Sequence, residues 1–116
     1  MTAENLLNKI RNHPDEINFN EVIDYISEYY QYTPARFSNG GVINEAGSNE
    51  GSCKIFAFGL QEGLSEAETL TCFGSYYRDE VLSTPTADNH ANIRSFMKHG
   101  WQGIHFDTKA LSKKQG

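Results

Sequence analysis

Cysteine, basic charge and long apolar runs are all scarce in this chain, and each scarcity removes a class of protein. Cys53 and Cys72 are the only cysteines in 116 residues. Two are too few for a disulfide scaffold, and reduced thiols are the expectation. No stretch approaches the roughly 20 apolar residues that cross a bilayer, so no membrane role is expected. The N-terminal Met-Thr-Ala-Glu-Asn-Leu-Leu lacks the basic start and apolar run of a signal peptide. His13, His90, His99 and His105 show no HxxxH or HExxH spacing, and there is no CxxC. Neither a metal nor another cofactor is expected. Ten Lys/Arg stand against fifteen Asp/Glu, and up to Phe106 the ratio is seven to fourteen, a net charge of −7. A nucleic-acid backbone is therefore a poor partner. The carboxylates are scattered and single out no acid pair of the glycosidase kind.

What the chain does have is aromatic bulk. Seven Phe, six Tyr and one Trp make 12% of the residues, enough for one core in a domain that buries roughly two-thirds of its unfolded surface. Thr2 can cap a first helix carrying Leu6, Leu7 and Ile10, which stops at His13-Pro14. Asn18 and Glu21 approximate a capping box ahead of a second helix with Val22, Ile26 and Tyr29 on its apolar face. Ala35 to Asn44 reads as a hairpin turning at Asn39-Gly40, with Phe37 across from Val42. Ser52 or Gly51 caps a third, central helix holding Ile55, Phe56, Phe58 and Leu60, ended by Gly63. Ser65 and Glu68 box the start of a fourth, running on through Phe73 to Val81. A fifth begins near Asp88 and closes at Gly100, with Ile93, Phe96 and Met97 as its stripe. Residues 103–106 form a short strand, a candidate third strand for the hairpin. The expected fold is α+β, mainly helical, with about five helices and a small antiparallel sheet. Residues 1–108 form a single domain, and 109–116 a flexible basic tail.

The stretch that organises the chain is Asn44 to Leu60, a polar, glycine-punctuated loop that turns abruptly into an apolar helix. Cys53 lies at that boundary beside Lys54, where N–H groups and the helix dipole can stabilise a thiolate. His90, at the start of the fifth helix, is the matching base, with Asn92 or Asp88 to orient it. Set against this Cys-His reading, a free cysteine in the first turn of a core helix is commonly a small buried apolar residue. The same boundary offers backbone N–H groups to an anion, with Ser52 at the helix start and Lys54 and Arg94 supplying charge. Asn44, Asn49 and Asn92 are polar residues beside apolar segments, suited either to a ligand or to satisfying loop backbone.

Three segments together point to a family: Asn49-Glu50-Gly51-Ser52-Cys53-Lys54-Ile55-Phe56-Ala57-Phe58, then Leu64-Ser65-Glu66-Ala67 with Cys72-Phe73-Gly74-Ser75-Tyr76-Tyr77, then His90-Ala91-Asn92-Ile93-Arg94-Ser95-Phe96-Met97 with Gly100-Trp101. In order and spacing, from the first helix to Phe106, the chain resembles the HopJ family of small bacterial proteins, labelled type III effectors. The resemblance implies delivery into a host cell by a type III system and transfers no catalytic residue. A first helix starting at Thr2 leaves little room for a flexible export signal, so bacterial cytoplasm is the expected location and secretion the alternative. Three functional readings follow. The first is a non-enzymatic, effector-like binding protein for a partner protein or a small anionic ligand, the second a thiol-dependent enzyme using Cys53 and His90. In the third, the polar residues only stitch the loop to the helices.

Overall fold

The computed structural model describes residues 3–114; Thr2, the expected first cap, lies outside them. The architecture is α+β and mainly helical. Helix α1 (Ala3–Asn12) leads through a 3₁₀ turn (Pro14–Glu16) to α2 (Phe19–Tyr29). The Asn18 capping box closes at both ends, Glu21 accepting the Asn18 N–H at 2.9 Å while Asn18 accepts from Asn20 at 2.8 Å. Strand β1 (Tyr30–Tyr32) follows without a break, then β2 (Phe37–Asn39) and β3 (Val42–Asn44). Helix α3 (Glu50–Glu62) is central, with Cys53, Ile55, Phe56, Ala57, Phe58 and Gly59 buried; Leu60, expected inside, is half exposed. Helix α4 (Glu66–Thr71), a π-helical segment (Tyr76–Val81), α5 (Ala91–His99) and a 3₁₀ turn (Gly100–Gly103) precede strands β4 (Ile104–Phe106) and β5 (Leu111–Lys113).

The hairpin differs by one step from the sequence expectation. Asn39 pairs with Val42 and Phe37 with Asn44, so the turn residues are Gly40-Gly41. Gly40 takes φ +62°, which glycine adopts without cost. It also packs so tightly on His99 that a Cβ there would lie 2.3 Å from a ring carbon. The shift places Asn39 within the strand and fully buried. β4 adds antiparallel to β2, as the third strand, giving the order β3-β2-β4.

The fourth helix is shorter than its apolar periodicity suggested. It stops at Thr71, and Gly74 turns left-handed at φ +60°. There the backbone lies against α2, where a Cβ would meet the Phe19 nitrogen at 2.7 Å. The chain restarts as a π segment, which Arg78 ties to the Ile17 carbonyl at 2.8 Å and the Pro14 carbonyl at 3.2 Å. Phe56 gathers Phe37, Phe73, Phe96 and Trp101 around it at centroid distances of 4.9–6.5 Å. Edge-to-face and tilted pairs at such distances stabilise a core beyond their buried area.

Residues 110–113, within the segment 109–116 read as a flexible basic tail, are part of the fold. Leu111 to Lys113 pair antiparallel with Tyr32 to Tyr30, and Ala110 and Leu111 are buried. Gln61 donates to the Leu111 carbonyl, and Lys113 lies 3.7 Å from the Glu62 carboxylate. Sequence periodicity cannot register a three-residue strand whose partner is some eighty positions away. Replacing Leu111 with Ala is expected to cost about 2–4 kcal/mol, read as a lower urea midpoint at unchanged slope. A change below about 0.5 kcal/mol would be that of a surface tail.

Candidate functional site: a cavity between two helix N-termini

Helices α3 and α5 begin in the same unusual way. Their N-caps, Asn49 and His90, are the two non-glycine residues with positive φ among the described residues, at +50° and +53°. An N-cap ordinarily sits in the extended region with its side chain on the next turn's N–H groups. Here neither side chain caps its helix. The first intrahelical hydrogen bonds run from Cys53 N–H to the Asn49 carbonyl (3.0 Å) and from Arg94 N–H to the His90 carbonyl (3.1 Å). The N–H groups of residues 50–52 and 91–93 therefore lack an intrahelical acceptor.

The Asn49 side chain is engaged elsewhere, which explains its missing cap. Its Nδ2 donates to Asn44 Oδ1 at 2.7 Å. Asn44 and Asn92 exchange amide hydrogen bonds, Asn92 Nδ2 to Asn44 Oδ1 at 2.9 Å and Asn44 Nδ2 to Asn92 Oδ1 at 3.0 Å. Asn39 donates to the Asn92 carbonyl at 2.8 Å and to Asn92 Oδ1 at 3.1 Å. This buried cluster joins β2 and β3 to the starts of α3 and α5. Asn39 was legible in the sequence only as a turn residue, because its role depends on the Gly40-Gly41 register.

Between the two N-termini lies a cavity of about 440 Å³. Gly51, Ser52 and Asn49 line it from α3, and His90, Ala91, Asn92 and Ile93 from α5; Phe19, Val42, Phe73 and Tyr76 form the apolar wall. Gly51 allows the Phe19 ring to approach, since a Cβ would stand 2.9 Å from its Cζ. His90 stacks obliquely on Tyr76 at 5.5 Å, and its Nε2 lies 2.8 Å from Glu80 Oε1. A carboxylate only accepts, so Nε2 carries the hydrogen that faces Glu80. Glu80, rather than Asn92 or Asp88, orients the ring. The aromatic wall and Glu80 had no sequence signal, because the π segment that presents Tyr76 and Glu80 reads as plain helix.

The other sequence candidates face away. Cys53 is buried, and its thiol points to the Ala35 carbonyl at 3.8 Å. Burial pushes its pKa up, against the smaller lowering from Ala35, Tyr32 and Lys54. It does not line the cavity, and no contact joins it to His90. Cys72 is more extreme, its thiol pushed up to about 12 by burial. Lys54 lies over the Tyr32 ring at 4.7 Å. Arg94 is bonded to Thr84 and Asn89. Of the predicted residues, Asn49, Ser52, His90 and Asn92 line the cavity and Asn44 is hydrogen-bonded to two of them, while Cys53, Lys54 and Arg94 do not line it. Among the described residues there is no cluster of three His, Cys, Asp or Glu that suits a metal, and no helix long and apolar enough to cross a membrane.

A family model described as HopJ type III effector protein matches residues 3–111. The chain belongs to the HopJ family. It is also similar to a solved crystal structure, that of the unknown-function protein VPA0580, at 46% identity and a TM-score of 0.96. That match covers 98% of this chain and 95% of the other. No curated protein matches the chain.

The raised thiol of this HopJ chain sets an expectation for its chemistry. In a Cys72→Ala background, iodoacetamide should modify Cys53 slowly at pH 7, because a raised pKa moves thiolate formation above the ordinary range. Unfolding should accelerate the reaction, and His90→Ala should leave it unchanged. Fast modification near neutral pH that slows on removing His90 would indicate an activated pair.

Proposed function

We propose that this HopJ protein acts by binding, without covalent chemistry, and that the cavity between α3 and α5 takes a small carboxylate with an apolar body. The observation that carries the reading is the convergence of two uncapped helix N-termini on one cavity. Each N-terminus presents N–H groups and roughly half a positive charge, and each is backed by polar side chains. The wall of Phe19, Phe73 and Tyr76 suits an aromatic or aliphatic body. The charge balance selects among anions. No Lys or Arg lines the cavity, and the His90 ring is held against the Glu80 carboxylate. A singly charged carboxylate fits N–H donors of this kind, whereas a doubly charged phosphate calls for a cation. The thiol enzyme is the weaker reading, because Cys53 is buried with a raised pKa.

Titration of ¹⁵N-labelled protein with benzoate is expected to shift the amides of Gly51, Ser52, Ala91 and Asn92, with inorganic phosphate weaker. Ser52→Asp places a carboxylate at the α3 N-terminus, which favours the helix but occupies the site, and it should abolish the benzoate response. Unchanged cavity amides at saturating benzoate would overturn the reading.

Family membership supports a setting for this activity: synthesis in a bacterial cytoplasm and delivery by a type III system into a host cell. Fusion of residues 1–29 to a translocation reporter should give host-cell entry that depends on the secretion apparatus. Retention in the bacterium would overturn delivery and leave the binding proposal standing.

A further inference from the structure

A second concavity, sharing no residue with the cavity, lies on the outer side of α5. Val81, Leu82, Pro85, Arg94, Met97 and Lys98 line a groove of about 260 Å³. One wall is the end of the π segment and the loop behind it. The other is a face of α5, where Arg94, Met97 and Lys98 stand at i, i+3 and i+4. Leu82 is 50% and Met97 45% exposed. Single exposed apolar side chains are ordinary, but two facing each other across a groove form a surface that water covers poorly.

No carboxylate among the described residues pairs with the cations of this groove. The Arg94 guanidinium donates only to neutral oxygens: Nε to the Asn89 carbonyl (2.6 Å), Nη1 to the Thr84 carbonyl (2.8 Å), and Nη2 to Thr84 Oγ1 (3.0 Å) and Asn89 Oδ1 (2.8 Å). These bonds fix its position and leave its unit charge in place. Lys98 makes no ion pair among the described residues, whereas Lys9, Arg11, Arg36 and Lys113 each face a carboxylate. In a chain of net charge −5, two unpaired cations beside exposed apolar side chains are a local reversal of sign. The same four hydrogen bonds hold the wall. Residues 83–89 are all exposed, so Arg94 together with local bonds from Thr84 to Val81 and Glu80 and from Ala87 to Thr84, rather than a core, fixes that loop. A preformed groove spares a ligand the cost of ordering it.

We propose that this groove docks an acidic segment of a partner protein. A large apolar side chain seats between Leu82 and Met97, and a flanking Asp or Glu meets Lys98 and Arg94. The volume admits one anchor, so the segment binds weakly by itself and serves as one contact within a larger interface.

The test is titration of the ¹⁵N-labelled protein with the peptide acetyl-Glu-Asp-Phe-Leu-Glu-Asp-amide. Saturable shifts are expected at the amides of Leu82, Arg94, Met97 and Lys98, with Kd about 0.1–1 mM. The peptide acetyl-Lys-Lys-Phe-Leu-Lys-Lys-amide should give none. Lys98→Glu should weaken binding about threefold or more, and Met97→Ser should abolish it. Both positions are exposed, so unchanged spectra elsewhere will certify the fold. Silence at the groove, or an equal response to the lysine peptide, overturns the proposal. Shifts confined to Gly51, Ser52 and Ala91 would assign the peptide to the cavity and overturn it equally.

Discussion

The structure depends on a buried amide cluster, in which Asn39 and Asn44 of the hairpin both hydrogen-bond to Asn92 in the first turn of α5. A buried amide left unpaired costs about 1–3 kcal/mol, while a satisfied one contributes roughly 1 kcal/mol net. The cluster therefore acts less as a source of stability than as a constraint, since any other docking of the hairpin would strand several amides at once. Its pairing is nearly complete. Asn39 Oδ1 alone is buried without a partner, while both hydrogens of that amide face acceptors on Asn92.

That constraint is also what opens the site. Asn is among the best capping residues, yet Asn49 is held by Asn44 and leaves α3 uncapped. His90 is drawn to Glu80 and leaves α5 uncapped in the same way. Both residues are held left-handed, a conformation that costs a non-glycine residue on the order of 1–2 kcal/mol. Gly51, Ser52, Ala91, Asn92 and Ile93, which carry backbone groups released by these choices, line one cavity. Strain, missing caps and concavity thus share one cause, the competition between a local cap and a tertiary partner.

The polar chemistry is divided over the surface. N–H donors without lysine or arginine line the cavity between the helices, and cations without carboxylate partners line the groove outside α5. The thiols belong to neither, because both are buried and line neither surface, and burial raises the pKa of each. The two proposed binding surfaces, one electropositive through backbone N–H groups and the other through side-chain cations, lie on two sides of one helix and suit a small protein that reads a ligand and a partner together.

Local rules were legible in the sequence because they act over a few residues. The capping boxes at Asn18 and Ser65 and the helix ends at Gly63 and Gly100 are decided by groups three or four positions apart. The apolar stripes that built the helices, and with them the α+β class, follow from a period of 3.6 residues. The order and spacing of three segments were enough to suggest the HopJ family. What the tertiary structure alone decided are the long-range pairings. β5 depends on β1, the break at Gly74 depends on the Phe19 backbone, and the Gly40-Gly41 turn depends on burying Asn39 against α5. The site followed the same division. Asn44, Asn49 and Asn92 stood out as polar residues beside apolar segments, but their partners were each other. Cys53 occupied a reactive-looking position at a helix start, and only the packing of Ala35 and Tyr32 around it shows which way the thiol points. A sequence fixes which groups a helix start carries; the neighbours that compete for those groups come from elsewhere in the chain, and only the folded structure brings them within reach.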